Sequence, residues 1–208
     1  MPVITDISDF KGNVVRIDLD DREPLFIYRE VAYSYNLQKG MSLPDAAIEQ
    51  IRNDHDYKKA RERALYLMDY SDNTYMTLFK KLRKNYNEDI CYRVCDDLAE
   101  VGIINDKRFA ENYARKLIEV KLLGRYRAVQ EMRDKGIPKN AMIEALRPYE
   151  DTERERLKEL IEKKYLKKLD YEDHNRKLTA ALVRKGYRFD DIKAVLLEIR
   201  EEYEQEDL

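Results

Sequence analysis

Leu82, Met132 and Leu182 stand at intervals of fifty, and apolar residues recur around each of them at helical spacing. Leu78, Ala128 and Leu178 lie one turn earlier, where a 3.6-residue period returns to the same buried face. Each of the three anchors is followed by a short basic turn, LRKNY, MRDKGI and LVRKGY, the first a residue shorter than the others. Beyond the turn, with that residue allowed for, Val94, Ala145 and Val195 align, as do Leu98, Tyr149 and Ile199. Both flanking segments read as amphipathic helices. Gly136 and Gly186 follow the first of these, where a left-handed cap favours glycine; Asn85, the next best residue there, stands in the short copy. A further helical stretch precedes each pair: YKKARERALYLM from Tyr57, KRFAENYARKLIEV from Lys107 and RERLKELIEKKYL from Arg154. Each unit is thus three helices, and none can bury its apolar face alone. The predicted fold is mainly α, with tandem three-helix repeats in an elongated, curved array.

The pattern changes before Tyr57. GNVVRIDLDD and EPLFIY are β-branched or aromatic runs around the turn-prone DDRE and predict a hairpin, while SLPDAAIEQI from Ser42 predicts a short capped helix. The expected organisation is a small α/β extension at 1–56, repeats at 57–104, 105–151 and 152–208, and an acidic tail on the last.

Composition agrees with helix: 39% of residues are charged, 43% apolar, and there are only six glycines and five prolines. At 208 residues the chain is expected to be a whole protein rather than a fragment. No run approaches the roughly 20 apolar residues of a membrane span, and MPVITDISDF lacks the regions of a signal peptide. A cytoplasmic, monomeric protein without a membrane partner is therefore expected.

The candidate chemical residues favour scaffold over catalysis. Cys91 and Cys95 share a helix face, as half a metal site would, but they occupy the slots of Met142 and Leu146 in the next copy and lack a second Cys or His pair. They are predicted to be reduced core residues. His174 aligns with Thr74 and Gly124 at the start of a second helix, and His55 lies in the polar RNDHDYKK. No phosphate-loop, HExxH or GxGxxG motif is present. No catalytic residue, metal or cofactor is expected, and the chain reads as a non-enzyme.

The formal charge of −2 hides a division along the chain. Residues 1–56 hold 6 Lys and Arg against 11 Asp and Glu, a balance of −5, whereas residues 107–150 hold 11 against 6, a balance of +5. Glu201 to Leu208 add a further −5, and this tail is expected to contribute little to the fold and to screen the basic middle until a partner competes. In the middle stands GRYRAVQEMRDKGI, Gly124 to Ile137. Lys135 recurs at Lys185 and is explained by its turn, but Arg125 and Arg127 do not recur; Tyr75 and Thr77 hold their places in the first copy, Asn175 and Lys177 in the third. Both arginines fall in a predicted first turn, where the helix dipole disfavours a cation by roughly 0.3–1 kcal/mol. That position suits an anion, phosphate or carboxylate, and Glu in both places should leave the helix intact. Lys121, Arg125, Tyr126, Arg127, Arg133 and Lys135 are the candidate partner- and DNA-binding residues, Tyr126 as a ring able to stack on a base.

INDKRFAENYARKLIEVKLLGRYRAVQEMRDKGI, Ile104 to Ile137, closely resembles the middle repeat of the RecX regulatory proteins. The shared features are Asp106, Phe109 and Ala110, Gly124 before the second helix, and the turn from Lys135 to Ile137; LVRKGYRFDDI resembles the ending of the third repeat. In the first repeat Asn73, Thr74 and Thr77 depart from the family's Arg-Ser start and its Glu three residues on. The resemblance implies a regulator, usually an inhibitor, of the RecA recombinase. Such a protein lies in the groove of the RecA–DNA filament and impedes extension, ATP hydrolysis and strand exchange, controlling recombination, DNA repair and the SOS response. The residues alone leave two alternatives open: a sequence-independent nucleic-acid binder, and a protein scaffold, each acting without a recombinase.

Overall fold

A computed structural model describes residues 1–165 and 172–206, with the side chains of these apart from 172–174 and 203–206. The described chain is mostly helical and divides into two compact units, Met1–Ser71 with Leu78–Ile103, and Asp72–Thr77 with Ile104–Leu208.

The first unit opens with a three-stranded antiparallel sheet, β1 (Ile4–Lys11), β2 (Val14–Leu19) and β3 (Leu25–Tyr28), in that order. The predicted hairpin is β2–β3, with Val15 opposite Ile27 and Ile17 opposite Leu25. The pattern of hydrophobicity did not predict β1. ITDISDFK leaves only Ile4 fully buried, so its place follows from the backbone bonds of β2. Ile4, Val15, Ile17, Leu25 and Ile27 form a core with Val31 of α1 (Arg29–Ser34) and with Ile48 and Ile51 of α2. That helix, Asp45–Tyr70, is continuous, where the sequence predicted a short helix and then a second one. No glycine or proline interrupts RNDHDYKK, and His55 Nδ1 accepts the Tyr28 backbone amide at 3.2 Å, fixing the polar segment against the sheet. Helices α3 (Tyr75–Leu82) and α4 (Glu88–Glu100) complete the first three-helix set.

The second unit holds α5 (Asp106–Arg115) with a π-helical turn at Lys116–Val120, α6 (Arg125–Asp134), α7 (Lys139–Leu146), α8 (Glu153–Tyr165), α9 (Glu172–Arg184) and α10 (Phe189–Glu206). The fifty-residue ruler marks the core: Leu82, Met132 and Leu182 are all fully buried, as are Val94 and Val195, while Tyr149 stays half-exposed. The turns divide as their residues do. Gly136 (φ 68°) and Gly186 (φ 94°) are left-handed. In each case the following amide reaches back five residues, Ile137 N to Met132 O and Tyr187 N to Leu182 O, both at 3.2 Å. Asn85 is not left-handed; in the shorter turn Tyr86 N bonds Leu82 O at 3.1 Å, a helical spacing that needs no positive φ.

Within the second unit one joint occurs twice. At the start of α6, Gly124 N donates to Lys185 O (2.9 Å) and Arg125 N donates to Glu153 Oε1 (2.7 Å). At the start of α3, Thr74 Oγ1 donates to Lys135 O (2.7 Å) and Tyr75 N donates to Asp106 Oδ1 (2.8 Å). In both, the first helical carboxylate of the next repeat accepts a backbone amide at the open N-terminus of the preceding second helix, and the turn carbonyl of that repeat accepts from the residue before it, a backbone amide at Gly124 and a hydroxyl at Thr74. The contact is tight: a Cβ on Gly124 would lie 2.4 Å from the Gly186 carbonyl, and one on Gly186 would lie 2.4 Å from Arg127 N. No repeat precedes the first copy, so its turn has no such helix to receive and can lose both a residue and the glycine.

Candidate functional site

Helix α6 has three faces, each with a different use for its residues. Ala128 and Met132 are fully buried. On one flank, Lys121 Nζ and Arg127 Nη2 converge on the two oxygens of Glu131, at 3.3 and 3.1 Å. Burial acts to raise the Glu131 carboxyl, but the two cations outweigh it and hold it below the ordinary range. On the other flank, Tyr126, Val129, Gln130 and Arg133 recur at i, i+3, i+4 and i+7 and line a cavity of about 430 Å³ with Arg125, Glu153, Gly186 and Arg188.

The predicted site residues therefore separate. Arg125, Tyr126 and Arg133 come together in the groove; Lys121 and Arg127 belong to the Glu131 cluster; Lys135 is exposed at the turn whose carbonyl receives Thr74. The amides at the start of α6, expected to await an external anion, are already taken by Glu153 and by Lys185 O. The Arg125 guanidinium is also held, by an ion pair to Glu150. Arg125 in this first turn is thus held by carboxylates 25 and 28 residues away in sequence, which local periodicity does not reveal, while Arg127 is held by Glu131 one helical turn on.

What remains for an outside partner is narrower and cleaner. Tyr126 is 69% exposed, and Arg133 and Arg188 are exposed with no ion pair among the described residues. Arg188 is not among the residues that the basic stretch of the second repeat brings to notice. It occupies the slot of Pro138, so the criterion of non-recurrence that singled out Arg125 applies to it equally. Two unpaired guanidiniums beside an exposed ring and the amphipathic Gln130 can take phosphate oxygens and the face of a base.

The remaining chemical candidates are packing residues where described. Cys91 and Cys95 are free and fully buried, and burial pushes the Cys95 thiol up to about 12. His55 serves as a backbone acceptor, and burial lowers its pKa. The side chain of His174 lies outside the described residues. Among the described residues no three His, Cys, Asp or Glu side chains are grouped to hold a metal, and no helix is long and apolar enough to cross a membrane. In the missing capping pair of the first repeat, Thr74 Oγ1 accepts the Thr77 amide at 3.1 Å and the Thr77 hydroxyl donates to Thr74 O at 3.0 Å. Thr74 thus still caps the helix, but Thr77 bonds the Thr74 carbonyl rather than accepting from its amide as a glutamate there would.

Residues 105–146 match the family described as RecX, second three-helix domain, and residues 151–196 match RecX, third three-helix domain. Regulatory protein RecX of Clostridioides difficile is 31% identical over 201 residues, which span 94% of this chain and 95% of that protein. Regulatory protein RecX of Bacillus velezensis is 32% identical over 214 residues, all of this chain and 80% of that protein. A crystal structure of a regulatory protein RecX shares the fold at a TM-score of 0.69 over 94% of this chain and 98% of its own, with 23% identity. The crystal structure of RecX from Lactobacillus salivarius aligns at 0.59 over 70% of this chain and 97% of its own, with 27% identity. With the three-helix sets, the glycine joint and the N-terminal sheet in one chain, and relatives of this identity aligned over nearly its full length, this protein belongs to the RecX family of regulatory proteins.

Proposed function

We propose that this chain binds the RecA–DNA filament and modulates it, in the inhibitory sense, slowing ATP hydrolysis, extension and strand exchange and so controlling recombination and DNA repair. It acts by occupying a surface, without catalysis, cofactor or membrane, in the cytoplasm. The observation that carries this reading is the groove of α6, in which Arg133 and Arg188 have no ion pair among the described residues and Tyr126 is exposed. Guanidiniums free of internal carboxylates lose little on meeting a phosphate, because no existing ion pair has to be broken. Contacts to phosphate read no sequence, which suits a partner whose DNA is arbitrary.

The test is inhibition of the DNA-dependent ATPase of a RecA filament by the parent and by Arg133→Glu/Arg188→Glu. Both side chains are exposed, so the fold is expected to persist. The concentration for half-inhibition should rise at least about tenfold, since a hydrogen bond to a charged group contributes on the order of 1.5–3 kcal/mol. Unchanged inhibition would remove the groove from the account. Arg125→Glu/Arg127→Glu is a weaker test, because it sets new carboxylates against Glu150 and Glu131 and damages the joint itself.

A further inference from the structure

A second surface lies on α2, in the other unit and independent of the α6 groove. In its latter half the helix buries Ala60 and Ala64. Away from them stand Lys59, Arg63, Tyr66 and Tyr70, at i, i+4, i+7 and i+11, which the helical repeat gathers into one stripe. All four are exposed, the two rings by 61% and 82%. Large aromatic side chains this open, with no apolar neighbours in the stripe, are poorly explained by packing.

The charges of the helix are sorted. Asp54 pairs with Arg93, Glu62 accepts the Tyr28 hydroxyl at 2.8 Å, and Lys58 pairs with Glu30. Lys59 and Arg63 have no ion pair among the described residues, and Asp56 and Asp69 only border the stripe. The Arg63 guanidinium stands 5.1 Å from the centroid of the Tyr66 ring, backing one face and leaving the other open. Tyr66 and Tyr70 are one turn apart, a rise of about 6 Å.

We propose that the Lys59–Arg63–Tyr66–Tyr70 face of α2 binds single-stranded nucleic acid, the cations meeting phosphates and the rings stacking on unpaired bases. Charge complementarity selects a polyanion, and the rings select among polyanions. A duplex conceals its base faces, and an acidic peptide has no planar group to lay on them. An apolar peptide would find no apolar stripe. Stacking contributes roughly 1–3 kcal/mol per base and tolerates any sequence.

The experiment measures binding of the full chain to labelled oligothymidylate and to a duplex of equal length, across a salt series. It is run in the Arg133→Glu/Arg188→Glu background, so that the α6 groove contributes nothing. Tyr66→Ala/Tyr70→Ala should weaken single-strand binding at least about tenfold and leave duplex binding within about twofold. Lys59→Glu/Arg63→Glu should weaken both and reduce the single-strand salt slope by about 1.4. Absence of single-strand binding in that background, insensitivity to both double substitutions, or equal loss of single strand and duplex on removing the tyrosines would overturn the proposal. Loss or retention of filament inhibition by Arg133→Glu/Arg188→Glu bears on the α6 groove alone.

Discussion

Cys95 is fully buried and Glu131 half-buried, and their environments act on them in opposite directions. Burial, aided by Cys91 and Asp96, pushes the Cys95 thiol up to about 12, and burial raises Cys91 as well. Neither forms appreciable thiolate at mildly alkaline pH, so both should resist iodoacetamide in the folded chain and react at once in denaturant. Rapid alkylation of the native protein would contradict their place in the core. Glu131 is the reverse case, with Lys121 and Arg127 holding its pKa below the unfolded value of 4.5. Its contribution is fully present above that value and is lost as pH falls through the lower, folded pKa. The stability difference between the parent and Glu131→Gln, from denaturant midpoints, should therefore shrink steadily below about pH 4.5. A difference independent of pH would show that the two cations do not stabilise this carboxylate. At this scale the sequence identified which cations were anomalous but not what answers them. Arg125 and Arg127 stand out because they fail to recur; Glu131 lies within local reach of Arg127, whereas Glu150 and Glu153 look like any acidic residues of a charged chain until the backbone brings them to Arg125.

Between elements, the recurring joint explains residues that helix propensity does not. Gly124 has φ −71°, so alanine there is unstrained, but its Cβ would meet the Gly186 carbonyl at 2.4 Å. Gly124→Ala should lower stability by roughly 1–3 kcal/mol, the range of an overpacked contact. Gly102→Ala supplies the comparison. Its φ of 75° brings backbone strain of about 1–2 kcal/mol, but nothing lies within 4 Å of the added carbon. A Gly124→Ala chain as stable as the parent, by denaturant midpoint, would mean that the repeats do not meet through this glycine. The helices and their buried faces were legible from periodicity, because each core position is repeated at the ruler's interval. The joint was not, because it is made of backbone groups and missing side chains, which leave no hydrophobic signal. The continuity of α2 was legible in principle: RNDHDYKK is polar but contains no residue that stops a helix. The acidic end also differs from a detached tail. Helix α10 continues to Glu206, and Glu198 and Glu202 both pair with Lys158 of their own repeat, not with the basic stretch of α6. Removing 201–208 takes away the exposed Glu202 pair but not Ile199, the last buried apolar residue among those described, so the thermal midpoint should change little.

For the molecule as a whole, a charge near zero conceals an uneven distribution: acidic over residues 1–56 and 201–208, and locally cationic where Arg133 and Arg188 line the α6 groove. A free-standing nucleic-acid binder commonly carries a net positive charge. This chain carries −2, which favours a partner that itself presents both DNA and protein. Affinity for a RecA–DNA filament, compared with affinity for the same DNA bare across a salt series, distinguishes a regulator of a recombinase filament from a general DNA binder. Binding should be tighter to the filament at every salt concentration, should persist when added salt has abolished binding to bare DNA, and should weaken with Arg133→Glu/Arg188→Glu. Equal affinity for filament and bare DNA, with the same salt slope for both, would contradict a regulator of the filament.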